Sequence, residues 1–255
     1  EPVIKTAKQA GDFARELQLL LRTLVVSEAN MEKGEMRVEA NVSVAPDGML
    51  GTKVEIKNLN SFKSVERAIE YEIARQSAAL EKGECVVQET RGLDENTGKT
   101  FSQRLKETSQ DYRYFPDPDL PKLWLSKIAD FQHIALPELP WQKRERYKKT
   151  YGIKQEDIEA YVTDQTLGNF FEAVTALLGG DKVLAVLASN YITSDLVGLV
   201  KKNDSGNLNL GVEPLSELIG GTRGTSKWVK PESFALLMRM ARDEDVSSRG
   251  AKDIL

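Results

Sequence analysis

The chain is poor in the side chains that most often serve as nucleophiles and proton shuttles. Of 255 residues, one is cysteine, Cys85, and one is histidine, His133. A single cysteine excludes an intrachain disulfide and a cysteine zinc site, and it suits a reducing compartment. A single histidine excludes any mechanism built on a histidine pair or on a Ser–His relay elsewhere in the chain. His133 stands in no readable motif with an acid or a nucleophile, so a structural role is expected for it. No glycine-rich phosphate loop is present. No apolar run approaches the roughly 20 residues of a membrane span, and no signal-peptide pattern opens the chain. Excess positive charge is missing too: 35 Lys and Arg against 39 Asp and Glu leave a net charge of −4. Such a chain does not coat nucleic acid by bulk charge. Any RNA or nucleotide must be held by local basic patches on an acidic body.

What is present is enough hydrophobic sequence for one large core or two smaller ones, with length favouring two domains. From Thr6 to about Val25, Ala7, Ala10, Phe13, Ala14, Leu17, Leu20, Leu21 and Leu24 recur at helical spacing, and Thr6 with Gln9 fits a capping box. "MRVEANVSV" (Met36–Val44) alternates strictly, "PDG" (Pro46–Gly48) signals a turn, and "KVEIKN" (Lys53–Asn58) alternates again. This pattern predicts an antiparallel hairpin with one face on helices. Asn60 or Ser61 then caps a helix to about Leu80, with Phe62, Val65, Ile69, Ile73 and Leu80 as its buried stripe. A second hairpin is expected from "VVQETRGL" (Val86–Leu93) and "TFSQRLK" (Thr100–Lys106). Cys85 falls in an apolar run and is expected to be packed. "DYRYFPDPDLP" (Asp111–Pro121) cannot be helical, because its three prolines impose extended geometry.

Beyond about Leu123 the pattern is helical: Pro140–Tyr151, Lys154–Thr163, Gln165–Leu178, Lys182–Tyr191 and Ser194–Lys202. After a polar loop and a less regular stretch, Pro231 suits the first turn of a helix to about Arg242, and Ser247 or Ser248 starts another. The fold class expected is α+β: an antiparallel-sheet domain with flanking helices, then an all-α domain. The chain opens without methionine on Glu1-Pro2 and closes in a helical pattern, so a piece of a longer protein is expected.

Three groups of residues invite a functional reading, each with a plain structural alternative. Lys57-Asn58 at the end of the first hairpin lies close to the helix start at Asn60-Ser61. A cation, two amides and unpaired helix N–H groups suit an oxyanion; a routine cap beside a solvated lysine would look the same. Arg91, Arg104, Lys106 and Arg113 could join that cluster as phosphate-binding forks, or form salt bridges with Glu89, Glu107 and Asp111. "QKRERYKK" (Gln142–Lys149) could track an RNA backbone or be the solvated face of a helix.

Several stretches go beyond generic pattern. "ANMEKGEMRVEANVSV", "GTKVEIKNLNSFKSVERAIEYEIARQ", "VVQETRGLDENTGKT" and "DYRYFPDPDLP" occur in this order at compatible spacing, and "LPELPWQKRERYKKTYGI", "SNYITSDLVGLV" and "VKPESFALLMRMARDEDVSSRGAKDIL" follow. Together they closely resemble the B subunit of the aspartyl/glutamyl-tRNA amidotransferases, over essentially the whole chain. The resemblance implies a ligase-type enzyme component that uses ATP and Mg²⁺ to phosphorylate the side-chain carboxylate of Glu-tRNA(Gln) or Asp-tRNA(Asn). Ammonia from the amidase, the A subunit, then displaces the phosphate, and the small C subunit completes the assembly. It further implies a cradle domain for the chemistry and helical domains that grip the tRNA, in a bacterial cytoplasm or an organellar matrix.

On this resemblance, residues 1–121 correspond to the second part of the cradle, 122–228 to the helical domain and 229–255 to the start of the tail. The family's metal ligands are expected in a cradle segment with no counterpart here, so no metal ligand is assigned. The expected contacts to ATP or the tRNA 3′ end are Arg37, Asn41, Lys53, Lys57, Asn58, Asn60, Arg91, Arg104, Lys106 and Arg113. Where the family usually shows Arg-Cys-Asp-Xaa-Asn, this chain has Arg37-Val38-Glu39-Ala40-Asn41, which moves a carboxylate by one methylene. The stretch Ile219–Trp228 also departs from the family pattern. Two other roles fit the same residues: a catalytically idle tRNA-binding module, and a scaffold whose polar hairpin face meets another component of the assembly.

Overall fold

The structure, a computed structural model, describes residues 3–46, 49–105, 118–131, 134–198 and 229–255, with the side chains of 104 and 105 excepted. The chain divides into two compact units, Glu1–Pro137 and Glu138–Leu255. The architecture is α+β.

The first unit opens with α1 (Ala7–Thr23), started by the capping box that Thr6 and Gln9 announced. Strands β1 (Val38–Val42) and β2 (Val54–Leu59) form the first hairpin, and α2 (Phe62–Glu81) follows. Strands β3 (Glu89–Asp94) and β4 (Lys99–Leu105) form the second hairpin. The sheet order is β1-β2-β3-β4. Both hairpins are antiparallel as expected, but β2 and β3 pair in parallel, so the sheet is mixed rather than antiparallel. The reason lies in α2. Its 20 residues reach about 30 Å, enough to carry the chain back to the end of the sheet where β2 began. A helix between two neighbouring strands leaves them parallel.

One sheet face is buried under α2 and the start of α1. Ala40, Val42, Ile56, Leu59 and Leu93 meet Ala7, Val65, Ala68 and Ile69 there. The expected stripe of α2 is corrected at its far end, where Leu80 is exposed, and Glu72 and Gln76 are buried instead. Cys85 is exposed rather than packed, because it lies in the connection after α2, outside the sheet.

The second unit is helical: α3 (Pro140–Thr150), α4 (Gln155–Thr163), α5 (Gln165–Leu177), α6 (Lys182–Asn190), α7 (Pro231–Arg242) and α8 (Ser248–Ile254). A π-helical turn, Tyr191–Leu196, continues α6. Pro231 occupies the first turn of α7, and Ser247 caps α8. Helix α5 touches α4, α6 and α7, and its Phe171 stacks on Tyr161 with ring centroids 4.4 Å apart. Gly168 permits the approach of α4 and α5, since a Cβ there would meet the Tyr161 carbonyl oxygen at 2.5 Å. Residues 194–198 of the expected helix Ser194–Lys202 are helical and run on from α6 through the π-helical turn, without the expected break at Thr193, while 199–202, the polar loop after them, the Ile219–Trp228 stretch and most of Asp111–Pro121 lie outside the described residues.

Candidate functional site

The face of the sheet opposite α2 holds two rows of residues set by strand register. One row runs Asn41, Glu55, Thr90 and Arg104 across the four strands. The other runs Lys57, Gly92 and Phe101, with Glu39 facing Lys57 from β1. Alternation dictates this arrangement, because residues two apart in a strand share a face. Lys57 sits between two carboxylates, its Nζ 3.5 Å from Glu39 and 3.4 Å from Glu55. Arg37 reaches the same Glu39 at 3.4 Å. Thr90 donates its hydroxyl to Glu55 at 3.3 Å. Gly92 leaves room for the Phe101 ring and the Gln103 amide, which a Cβ would meet at 2.8 and 2.6 Å.

At the edge of this face β1 and β2 fall out of step. Ala40 pairs with Ile56 and Val38 with Leu59, so Glu39 on β1 faces two residues, Lys57 and Asn58, on β2. This is a β-bulge, and Asn58 takes the left-handed conformation in it, at φ 59°. A shallow pocket opens beside the bulge, lined among others by Met31, Met36, Arg37, Glu39, Asn58 and Asn60.

The start of α2 is not an open anion cradle. Ser61 caps the helix by accepting from the Ser64 N–H at 3.0 Å, and the Ser64 hydroxyl donates to the Glu95 carboxylate at 2.7 Å. The first turn is already served by its own cap and a neighbouring acid.

Arg91 lies on the other side of the sheet. As the register partner of Ile56 it faces α2, where it is nearly buried. It binds Glu89, donates to the hydroxyl and carbonyl oxygens of Thr100 at 2.8 Å each, and stands 3.5 Å from Glu72. Glu72 is fully buried and accepts from Arg75 at 2.6 Å, Gln76 at 2.9 Å and Thr100 at 3.0 Å. The Glu72 hydrogen bond holds the Arg75 guanidinium pKa above its usual value against the opposing effect of burial. Burial works to raise Glu89, but hydrogen bonds from Ser102 and Arg91 outweigh it and hold that carboxyl below the usual range.

The structure thus brings Arg37, Asn41, Lys57, Asn58 and Asn60 to one face and its edge, and Arg104 joins by register. Lys53 is exposed just before β2. Arg91 is placed apart from this face, while Lys106, Arg113 and His133 lie outside the described residues. Sequence reasoning set Glu39 and Glu55 on the polar hairpin face but not among the candidates, and it passed over Thr90, Gly92 and Phe101. The signal was available for β1 and β2, where Glu39 and Glu55 alternate in phase with the candidates.

The basic run of α3 is largely neutralised within its own unit. Arg146 makes paired contacts of 2.7 Å to Glu138 and a third to Glu172, Arg144 binds Glu159 at 2.9 Å, and Lys149 stands 3.5 Å from Glu145. Tyr147 is buried beneath them and donates to Glu172 at 2.6 Å.

A profile described as the GatB/GatE catalytic domain matches residues 1–129, which hold β1 to β4. The chain belongs to the GatB/GatE family. Curated relatives agree along its whole length. The B subunit of the aspartyl/glutamyl-tRNA(Asn/Gln) amidotransferase of Rippkaea orientalis is 39% identical over 259 residues, covering 100% of this chain and 48% of the relative. The protein of the same name from Thermus thermophilus is 40% identical over 262 residues, 100% of this chain and 50% of the relative. That of Synechococcus sp. WH7803 is 42% identical over 258 residues, with 100% and 48% covered. The chain spans about half the length of these family members. Within the family match, the sequence candidates Arg37, Asn58 and Asn60 line the pocket at the edge of the sheet face that holds Lys57.

Proposed function

We propose that this chain is part of the B subunit of a tRNA-dependent amidotransferase, a ligase-type enzyme that activates the side-chain carboxylate of Glu-tRNA(Gln) or Asp-tRNA(Asn) with ATP. A partner amidase, the A subunit, supplies ammonia for the amide, and the small C subunit completes the assembly. The observation that carries the reading is the open sheet face of a family catalytic domain, with Lys57 between Glu39 and Glu55 and donors at Arg37 and Asn41 around it. Phosphoryl transfer asks for positioned charge rather than a covalent nucleophile. That requirement fits a chain with one cysteine and one histidine.

In this reading Lys57 moves from its two carboxylates toward the transferring phosphoryl group and stabilises the charge that develops there. Glu39 and Glu55 keep the ammonium in place before substrate arrives. A divalent cation bound with ATP would neutralise phosphate charge that these carboxylates would otherwise repel. Among the described residues, no three of His, Cys, Asp and Glu gather so as to hold a metal ion. The described residues by themselves therefore do not make an all-protein metal site. No helix among the described residues is long and apolar enough to cross a membrane. An exposed free thiol at Cys85 suits a reducing bacterial cytoplasm or organellar matrix.

The test is Lys57→Ala in the complete protein assembled with its amidase and small partners. Conversion of Glu-tRNA(Gln) to Gln-tRNA(Gln) at saturating ATP should fall about a hundredfold, with tRNA affinity largely retained. Undiminished conversion would remove Lys57 from the site. Equal loss of conversion and affinity would favour the tRNA-binding reading instead.

A further inference from the structure

We infer that Asn58 is a positioning residue: its left-handed backbone, rather than its amide, holds the bulge that returns Leu59 to the core while Lys57 keeps the place opposite Glu39 that the Ala40–Ile56 pairing gives it. The inference rests on the proposed role of Lys57 and concerns how the fold presents it.

In an unbroken strand, residues three apart point to opposite faces. Ile56 and Leu59 are three apart, yet both are buried in the core under α2. One extra residue must be taken up between them, and the register shows where: Lys57 and Asn58 together oppose Glu39. The extra residue has φ 59°, a region that costs most side chains but is open to glycine and tolerated by asparagine. Among the described residues the Asn58 amide makes no hydrogen bond, and the side chain is exposed beside the pocket. Its backbone is constrained while its side chain is not.

The constraint acts from both directions. Glu55 and Lys57 must stay in phase on the open face, because the alternative would push a lysine into the apolar cluster around Val65 and Ile69. Leu59 must return to the core so that the chain arrives at Ser61 in position to cap α2. A regular strand satisfies one demand and breaks the other. The bulge satisfies both, and leaves Lys57 3.5 Å from Glu39 across the strand pair and 3.4 Å from Glu55 two residues earlier in its own strand.

The experiment compares Asn58→Gly, Asn58→Ala and Asn58→Val. In this chain, melting temperature and the Lys57 Cε–Nζ NMR signal report the bulge directly. In the complete assembly, kcat and KM for ATP report its consequence. The alanine and valine variants should melt about 2–8 °C lower, shift the Lys57 signal, and lose about tenfold to a hundredfold in kcat with little change in KM. Glycine, which has no amide but accepts the backbone, should restore all three. A glycine variant with a normal melting temperature and Lys57 signal but a kcat as low as alanine's would assign the role to the amide and overturn the inference. So would an alanine variant indistinguishable from the original in melting temperature and Lys57 signal. If the unaltered assembly shows no ATP-dependent conversion, the proposed function fails by itself, and the two measurements on the chain still decide whether Asn58 holds the bulge.

Discussion

Asn58 is one of four non-glycine residues in the left-handed region among the described residues, and Val25 is the least suited of them. Val25 follows the end of α1, where its N–H donates to Arg22 O and the Val26 N–H to Leu21 O, both at 3.0 Å. This is the helix-ending motif that usually employs glycine. A β-branched side chain there is strained, and at 89% exposure Val25 has little packing to compensate. Val25→Gly should therefore stabilise the chain by about 1 kcal/mol, raising the melting temperature by about 2–4 °C. A fall in differential scanning calorimetry would show that the valine makes contacts that outweigh its strain. Neither left-handed residue was legible in the sequence. Asparagine hints at such a conformation, but valine argues against it, and only the helix-ending hydrogen bonds impose it.

Helix α2 joins the two hairpins by more than apolar contact. Glu72 falls on the apolar stripe, at spacings of 3 and 4 from Ile69 and Gln76, so a buried acid could have been expected there. What it binds could not. Thr100 of β4, 28 residues further along the chain, and Arg91 of β3 reach it only because the parallel β2–β3 pairing brings the second hairpin under the helix. Replacing Glu72 with alanine would leave Arg91 buried without one of its counter-charges, and breaking a buried pair in this way costs about 3–5 kcal/mol. Urea unfolding of the Glu72→Ala chain measures this directly. A loss under about 1 kcal/mol, the worth of an exposed pair, would mean that Glu89 alone suffices for Arg91. Helix α3 makes the complementary point. Its density of Lys and Arg reads as a nucleic-acid track, yet Arg144 and Arg146 are committed to carboxylates outside the helix.

Across the whole molecule, acid sensitivity should come from both units. Glu89 in the first and Glu172 in the second are held below the ordinary carboxylate value of 4.5, although burial opposes the shift in each. Ser102 and Arg91 outweigh burial at Glu89, as Tyr147 and Arg146 do at Glu172. A depressed folded pKa means that the unfolded chain binds protons more readily. Each group's stabilisation is then present above the unfolded pKa and lost as pH falls through the folded one. Urea midpoints should be level from about pH 7 to about pH 5 and fall below about pH 4.5. Glu89→Gln should flatten part of that fall. A midpoint that declines already between about pH 7 and about pH 5 would point to other groups.

The sequence by itself determined the elements and the family. Capping residues, period-2 alternation and the order of the motifs marked α1, both hairpins, α2 and the helices of the second unit, because those signals are local and each element carries its own. The tertiary structure alone decided which side chains meet. Arg91 and Lys57 look alike as cations on short strands, but one faces α2 and the other the open sheet face. Lys57 keeps the face that its alternation with Val54 and Ile56 gives it, whereas the face of Arg91 depends on the parallel pairing of β2 with β3. A single-residue step in register turns a side chain to the opposite face, and no local pattern records it.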